Sequence, residues 1–330
     1  MAAIDHKYFA VTGANAGLGA ESVRQLLQNH NNNINHDGTA KAETTIYLLC
    51  RNVDSGNEII ETLSKECKSS GISLVCVQFD ASIRSTVKSA IEFISTNIPD
   101  GYVLDGLLLN AGGFTSDTKG SLCESGATVI AETNLIGHAA LVNGLIETKR
   151  IGRGVSRVIF SGSEAGLGEP FAYKWANELD FYVNILNGKR YEKRYKPADG
   201  YGHIKGMIAF YCAAIARRHG SDIYFATVSP GSTRNTNLID QGSFKNGLKF
   251  FIKGYIRMSG QHDVNVGAKR YIDALLPNQE GWNNYPSGTF VLSKNGYTGK
   301  VCNATELKKG MVFGEESKQE YVYQAVQKFL

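Results

Sequence analysis

Short, wholly apolar runs alternate along this chain with stretches whose apolar residues recur at helical spacing, and nothing else in the sequence restricts the fold as strongly. The runs at 7–13 (KYFAVTG), 45–50 (TIYLLC), 73–80 (SLVCVQFD), 103–113 (VLDGLLLNAGG), 156–162 (SRVIFSG) and 222–231 (DIYFATVSPG) read as strands. Without a polar alternate face, such strands must be covered on both sides. Between them lie helical patterns, such as Val23, Leu26 and Leu27 after the first run, a long one at 128–150, and a strongly apolar one at 203–218. Strand–helix alternation implies a parallel sheet, and right-handed crossovers wind helices onto both of its faces. The expected class is therefore α/β, a doubly wound parallel sheet that binds ligands beyond the C-terminal ends of its strands. A further helix is expected at 264–276, a strand at 288–293 and a last helix at 317–330. The 330 residues fit a single domain with insertions.

Composition excludes several function classes. The net charge is +4, from 35 basic and 31 acidic residues, and the one basic-aromatic run, Lys189 to Lys196, is short. No nucleic-acid partner is expected from that balance. Six cysteines are scattered without CxxC spacing, as in a reduced, cytoplasmic protein. Neither a signal-peptide pattern nor an apolar run approaching the ~20 residues of a membrane span is read in the sequence. The seven histidines form no HExxH or similar cluster, so no metal is expected.

The segment TGANAGLG, Thr12 to Gly19, lies between the first strand and the first helix. Gly13, Gly17 and Gly19 can serve as turn residues, or they can let a phosphate approach the backbone at a helix N-terminus. The spacing differs from GxGxxG, and no Gly-Lys-Ser/Thr follows as in a P-loop. At the end of the second strand stand Cys50, Arg51 and Asn52, with no carboxylate before Asp54. A guanidinium there suits the 2′-phosphate of NADP(H), where a carboxylate would suit the ribose of NAD(H). Further on, Tyr201 and Lys205 are four apart on one helical face. A lysine beside a tyrosine is expected to lower the phenol pKa and make it an acid–base group. Ser163, after the fifth strand, could bond a carbonyl oxygen, with Ser161 as the competing serine.

With these residues in their order, through NAGG (110–113), TNLIGH (133–138) and SPGST (229–233), the chain resembles the short-chain dehydrogenase/reductase family over roughly residues 5 to 235. It is similar within it to retinol-dehydrogenase-like and protochlorophyllide-reductase-like members. The resemblance implies a Rossmann fold, NADP(H) as cofactor, Tyr201 as acid–base, Ser163 as the carbonyl-polarising serine, and Lys205 on the nicotinamide ribose. It gives Asn134 a water-holding role in proton relay. Cofactor contacts carried over with it fall on Gly13, Asn15, Gly17, Leu18, Gly19, Arg51, Asn52, Asp80, Ala81, Asn110, Ala111, Gly112, Tyr201, Lys205, Pro230, Gly231 and Thr233.

Departures from the family pattern are an asparagine-rich surface insertion at 29–45, an aromatic-rich insertion at 164–200, and a long region at 236–330 read as substrate-side helices and C-terminal extension. The second insertion flanks the catalytic residues, so it is expected near the mouth of the site, either with a small core of its own or as a wall for a bulky, apolar substrate. Relatives often associate through the helix bearing Tyr201, and an insertion before it favours a monomer over a homo-oligomer. The apolar, lysine-containing stretch 244–258 is expected to form an amphipathic helix. The expected activity is NADP(H)-dependent reduction of an aldehyde or ketone, or oxidation of the corresponding alcohol. The alternatives are a non-catalytic dinucleotide-binding sensor or scaffold, and C=C reduction or epimerisation on the same fold.

Overall fold

A computed structural model describes residues 5–31, 42–67, 70–114, 121–168, 173–191, 197–234, 261–282 and 284–330. Its strands are β1 (Asp5–Thr12), β2 (Ala42–Cys50), β3 (Ile72–Gln78), β4 (Gly106–Leu109), β5 (Ser156–Ser161), β6 (Ile223–Val228), β7 (Thr289–Ser293) and β8 (Val301–Asn303). They form one sheet in the order β3-β2-β1-β4-β5-β6-β7-β8. β1 to β7 are mutually parallel and β8 closes one edge antiparallel to β7. The helices are α1 (Gly17–Asn31), α2 (Val53–Glu66), α3 (Arg84–Asn97), α4 (Val129–Ala131), α5 (Gly137–Glu147), α6 (Leu179–Leu186), α7 (Pro197–His219), α8 (Val264–Leu275) and α9 (Glu316–Gln327). This is the doubly wound α/β Rossmann fold that the alternation implies.

Pleating sorts the apolar runs between two cores. Tyr8, Ala10, Leu107, Val158 and Phe160 face one core with residues of α3, α5, α6, α7 and α9. Phe9, Val11, Leu108 and Ile159 face the other with residues of α1 and α8. Every residue of β4 is buried, which is why its sequence is GLLL without a polar alternate. β1 pairs with β2 on one side and β4 on the other, so the chain leaves it in both directions. That divergence opens a crevice above the C-terminal strand ends.

The long helix expected at 128–150 is interrupted by a wide turn, Glu132–Ile136, between α4 and α5. The stretch Val129–Glu147 is long and apolar enough, by length and composition alone, to cross a membrane, and most of it is buried in the fold. Of the 29–45 insertion, Asn29–Asn31 ends α1 and Ala42–Thr45 begins β2. Residues 32–41 and the stretch 244–258 lie outside the described residues.

Within 164–200, the described segment 173–191 packs on α7. Trp175 stands edge-on to Phe210 at 5.1 Å and stacks on Tyr182 at 6.2 Å, while Tyr173 stacks on His203 at 4.0 Å. Gly202 and Gly206 on α7 leave the space that Tyr173 and Trp175 occupy. α9 lies over the same helix, with Tyr323 stacked on Tyr211 at 6.0 Å. Since Tyr182 is fully buried, Tyr182→Ala is expected to cost about 3–5 kcal/mol of unfolding free energy, read from urea denaturation. A cost near zero would mean the segment is peripheral.

Candidate active site

The turn from β1 into α1 is shaped by its glycines. Gly13 and Gly17 adopt φ of +65° and +53°, where a side chain would be strained. A Cβ at Gly19 would collide with the Gly13 carbonyl oxygen, whereas the space beside Gly17 is open. α1 carries no acidic residue in its first turn. An open backbone at the positive end of a helix dipole fits an anionic group such as a pyrophosphate. Across the crevice Asn110 Nδ2 donates to the carbonyls of Thr12 and Gly13 at 3.1 and 3.4 Å, and Ala111 N donates to Thr12 Oγ1 at 2.9 Å. Asn15 Nδ2 donates to Ser55 Oγ at 2.9 Å, and Leu18 reaches toward Gly267 of α8.

Ser163, Tyr201 and Lys205 meet at the C-terminal edge of β5. The Ser163 hydroxyl faces that of Tyr201 and accepts from Ala165 N at 3.2 Å. Tyr201 is buried and stacks on Phe114 with centroids 4.2 Å apart. Lys205 Nζ donates to the Ser161 carbonyl at 2.8 Å and lies 5.6 Å from the Tyr201 ring centroid. Burial raises the Tyr201 pKa, the Ser163 hydrogen bond opposing it and the Glu164 charge reinforcing it. Burial also pulls the Lys205 amine down to about 7. The expectation that Lys205 lowers the Tyr201 pKa is thus not met in this state: desolvation dominates both groups, and the amine is aimed at a backbone carbonyl. The competing Ser161 hydroxyl is committed elsewhere, 2.6 Å from Tyr271 Oη of α8.

Asn134 sits inside the wide turn. Its Oδ1 accepts from Gly113 N, and its Nδ2 donates to the carbonyls of Gly113 and Ile130, all at 3.0 Å. Gly112, at φ +139°, has no room for a Cβ against this amide. At the end of β2, Arg51 is exposed, and Asn52 caps α2 by accepting from Ser55 N at 3.1 Å. Asp80 accepts from Ser82 N and Oγ at 2.9 and 2.6 Å, and Ala81 is buried against Gly137. Pro230 and Gly231 follow β6, Gly231 at φ +74°, and Thr233 bridges to His262.

Four buried polar residues here escaped the sequence reading. Glu164, Arg270 and Tyr271 lie beneath the ends of β5 to β7, and His138 lies behind Asn134. His138 Nε2 is 3.1 Å from Thr12 Oγ1 and its Nδ1 3.4 Å from the Asn134 carbonyl. Burial, with the Lys205 charge adding to it, depresses the His138 pKa to about 3. Among the described residues no group of His, Cys, Asp and Glu could hold a metal ion.

A dinucleotide-type turn beside a serine–tyrosine–lysine set defines the class, and comparison with known proteins identifies it. The family model "short chain dehydrogenase" matches residues 7–174, just over half of the chain. The chain belongs to this family. It is 26% identical to a 3-keto-steroid reductase of Schizosaccharomyces pombe over 48% of this chain and 52% of that one. It is 35% identical to (+)-neomenthol dehydrogenase of Arabidopsis thaliana over 34% of this chain and 32% of that one. The matches thus span about half or less of these two relatives. L-sorbose reductase from Gluconobacter frateurii, solved with NADPH and L-sorbose, shares the fold at a TM-score of 0.62 and 16% identity, covering 90% of this chain and 98% of that one.

A histidine whose folded pKa lies below its unfolded value stabilises the fold fully above the unfolded pKa and loses that contribution as pH falls toward the folded one. His138 should therefore contribute fully above pH 6.5 and progressively less down to about 3. The stability difference between wild type and His138→Gln, measured by urea unfolding, is expected to shrink over that range. A difference independent of pH would contradict a neutral, buried His138.

Proposed function

We propose that this chain is an NADP(H)-dependent oxidoreductase that interconverts a carbonyl compound and its alcohol, on a bulky apolar substrate. The observation that carries the reading is the meeting of Ser163, Tyr201 and Lys205 at the strand ends beside an open glycine turn. Gly13, Gly17 and Gly19 would receive the pyrophosphate, and Asp80, Ala81 and the Asn110–Gly112 segment would border the adenosine half. Pro230, Gly231 and Thr233 would border the nicotinamide. The dinucleotide, when bound, supplies or accepts the hydride.

The chain's own residues manage the oxygen and its proton. Ser163 and Tyr201, whose hydroxyls face each other, would present two donors to one carbonyl oxygen. Tyr201, held protonated by burial, is the proton donor in the reductive direction. With a pKa of about 7, Lys205 stands between its charged and neutral forms at neutral pH. One of its hydrogens goes to the Ser161 carbonyl, leaving the others for ribose hydroxyls. Both amide hydrogens of Asn134 are spent on backbone carbonyls. A relay water at this residue would therefore bind its Oδ1 or its own backbone carbonyl. Phe114, stacked on Tyr201, offers an apolar wall for the substrate.

Arg51, exposed at the end of β2, supports a preference for the 2′-phosphate, as does the NADPH held by the sorbose reductase. The relatives' names, a 3-keto-steroid reductase and a neomenthol dehydrogenase, support a carbonyl–alcohol couple. The packing of Tyr173 and Trp175 on α7 supports the monomer reading, because it covers part of that helix.

Tyr201→Phe is expected to abolish NADPH-dependent turnover in a screen of apolar ketones while leaving NADPH affinity unchanged, because only the hydroxyl is removed. Undiminished turnover would overturn the assignment. Arg51→Ala should weaken NADPH binding by roughly 1.5–3 kcal/mol, followed by fluorescence titration, and barely change NADH binding. Equal losses for both cofactors would remove the 2′-phosphate role.

A further inference from the structure

The residue next to Ser163 is a carboxylate that the chemistry above does not use. Glu164 is 4% exposed. Its Oε2 accepts from Ser229 Oγ at 2.5 Å and its Oε1 accepts from Ser293 N at 3.2 Å. The same Ser229 Oγ accepts from Gly231 N at 3.1 Å. A chain of hydrogen bonds thus runs from Glu164 through Ser229 to the backbone of the turn after β6. Arg270, 8% exposed, holds the same two serines from α8, donating to Ser229 O at 3.3 Å and Ser293 Oγ at 3.0 Å. It also donates to Gly299 O at 2.9 Å. Carboxylate and guanidinium together tie the ends of β5, β6 and β7.

The turn they hold has no slack. A Cβ on Gly231 would collide with Tyr297 O, His262 Nε2 and Arg270 Nη1. Ser232 N donates to Tyr297 O at 2.8 Å and His262 N to Ser232 O at 3.0 Å. Packing alone would be served by an apolar side chain, since a buried charge is costly to desolvate. A carboxylate with two directed acceptors instead fixes where two neighbouring strand ends stand.

We propose that Glu164 is a positioning residue, which through Ser229 sets the Gly231 turn relative to Ser163 and so places the nicotinamide half of the dinucleotide against the catalytic hydroxyls. This rests on the oxidoreductase reading above. The adenosine half, at the far side of the crevice, is outside its reach.

The test compares NADPH with the same molecule lacking its nicotinamide, 2′-phospho-ADP-ribose, on Glu164→Gln and Ser229→Ala, with thermal melts as a check of folding. Both variants are expected to bind NADPH about tenfold more weakly, with the enhancement of bound-NADPH fluorescence reduced, and to bind 2′-phospho-ADP-ribose as wild type does. Ser229→Ala keeps both Glu164 and Arg270, so it decides the matter if Glu164→Gln does not fold. Unchanged NADPH binding in folded variants would overturn the proposal and leave the oxidoreductase reading intact. Equal weakening of both probes would also overturn it, as general loosening. A wild-type protein that binds neither probe would take down the oxidoreductase reading and the proposal together.

Discussion

The fold depends on how two parallel strands are joined where the chain departs from them in opposite directions. β1 and β4 are adjacent, yet α1 leaves one and the NAGG segment leaves the other, so nothing in the ladder holds their ends together. Thr12 and Asn110 supply that closure: the hydroxyl accepts from Ala111 N, and the amide donates to the carbonyls of Thr12 and Gly13. The glycine turn is thereby fixed against the NAGG segment. Asn134 binds the other end of that segment through Gly113, so the glycine turn and the wide turn share one hydrogen-bonded frame. Preorganisation of this kind lets a bound anion be met by backbone that is already in place.

Burial, more than pairing, decides the charge states around this frame. Tyr201 is held protonated, Lys205 is brought close to neutrality and His138 is kept neutral, in each case with desolvation as the largest cause. Ionising Tyr201 in these surroundings requires positive charge nearby, which Lys205 supplies only while protonated.

Much of the fold was legible because parallel strands buried on both faces leave continuous apolar runs, and six such runs fall on β1 to β6. β8 was not, because the three residues Val301–Asn303 carry no period of their own. Nor was the wide turn at Glu132–Ile136, since one extra residue per turn hardly disturbs an apolar helix pattern. Tyr201 and Lys205 could be picked out through their spacing, and Ser163 only by the family resemblance, since its place after a strand left Ser161 competing. Glu164, Arg270 and His138 could not: a charged or polar residue in a sequence reads as surface, and only tertiary packing turns it into a buried partner.

The choice between Ser161 and Ser163 shows where strand logic stops. In a pleated strand, residues two apart point the same way, so both serines would face α8. Ser161 does, and meets Tyr271 there. Ser163 escapes because β5 ends at Ser161, and Ser163 begins the short helical turn Glu164–Leu167 as its N-cap. That exit turns its hydroxyl to Tyr201 on the opposite face and, one residue later, buries Glu164 under β6 and β7. The same bend that turns Ser163 toward Tyr201 therefore delivers the carboxylate that ties this segment to the neighbouring strand ends.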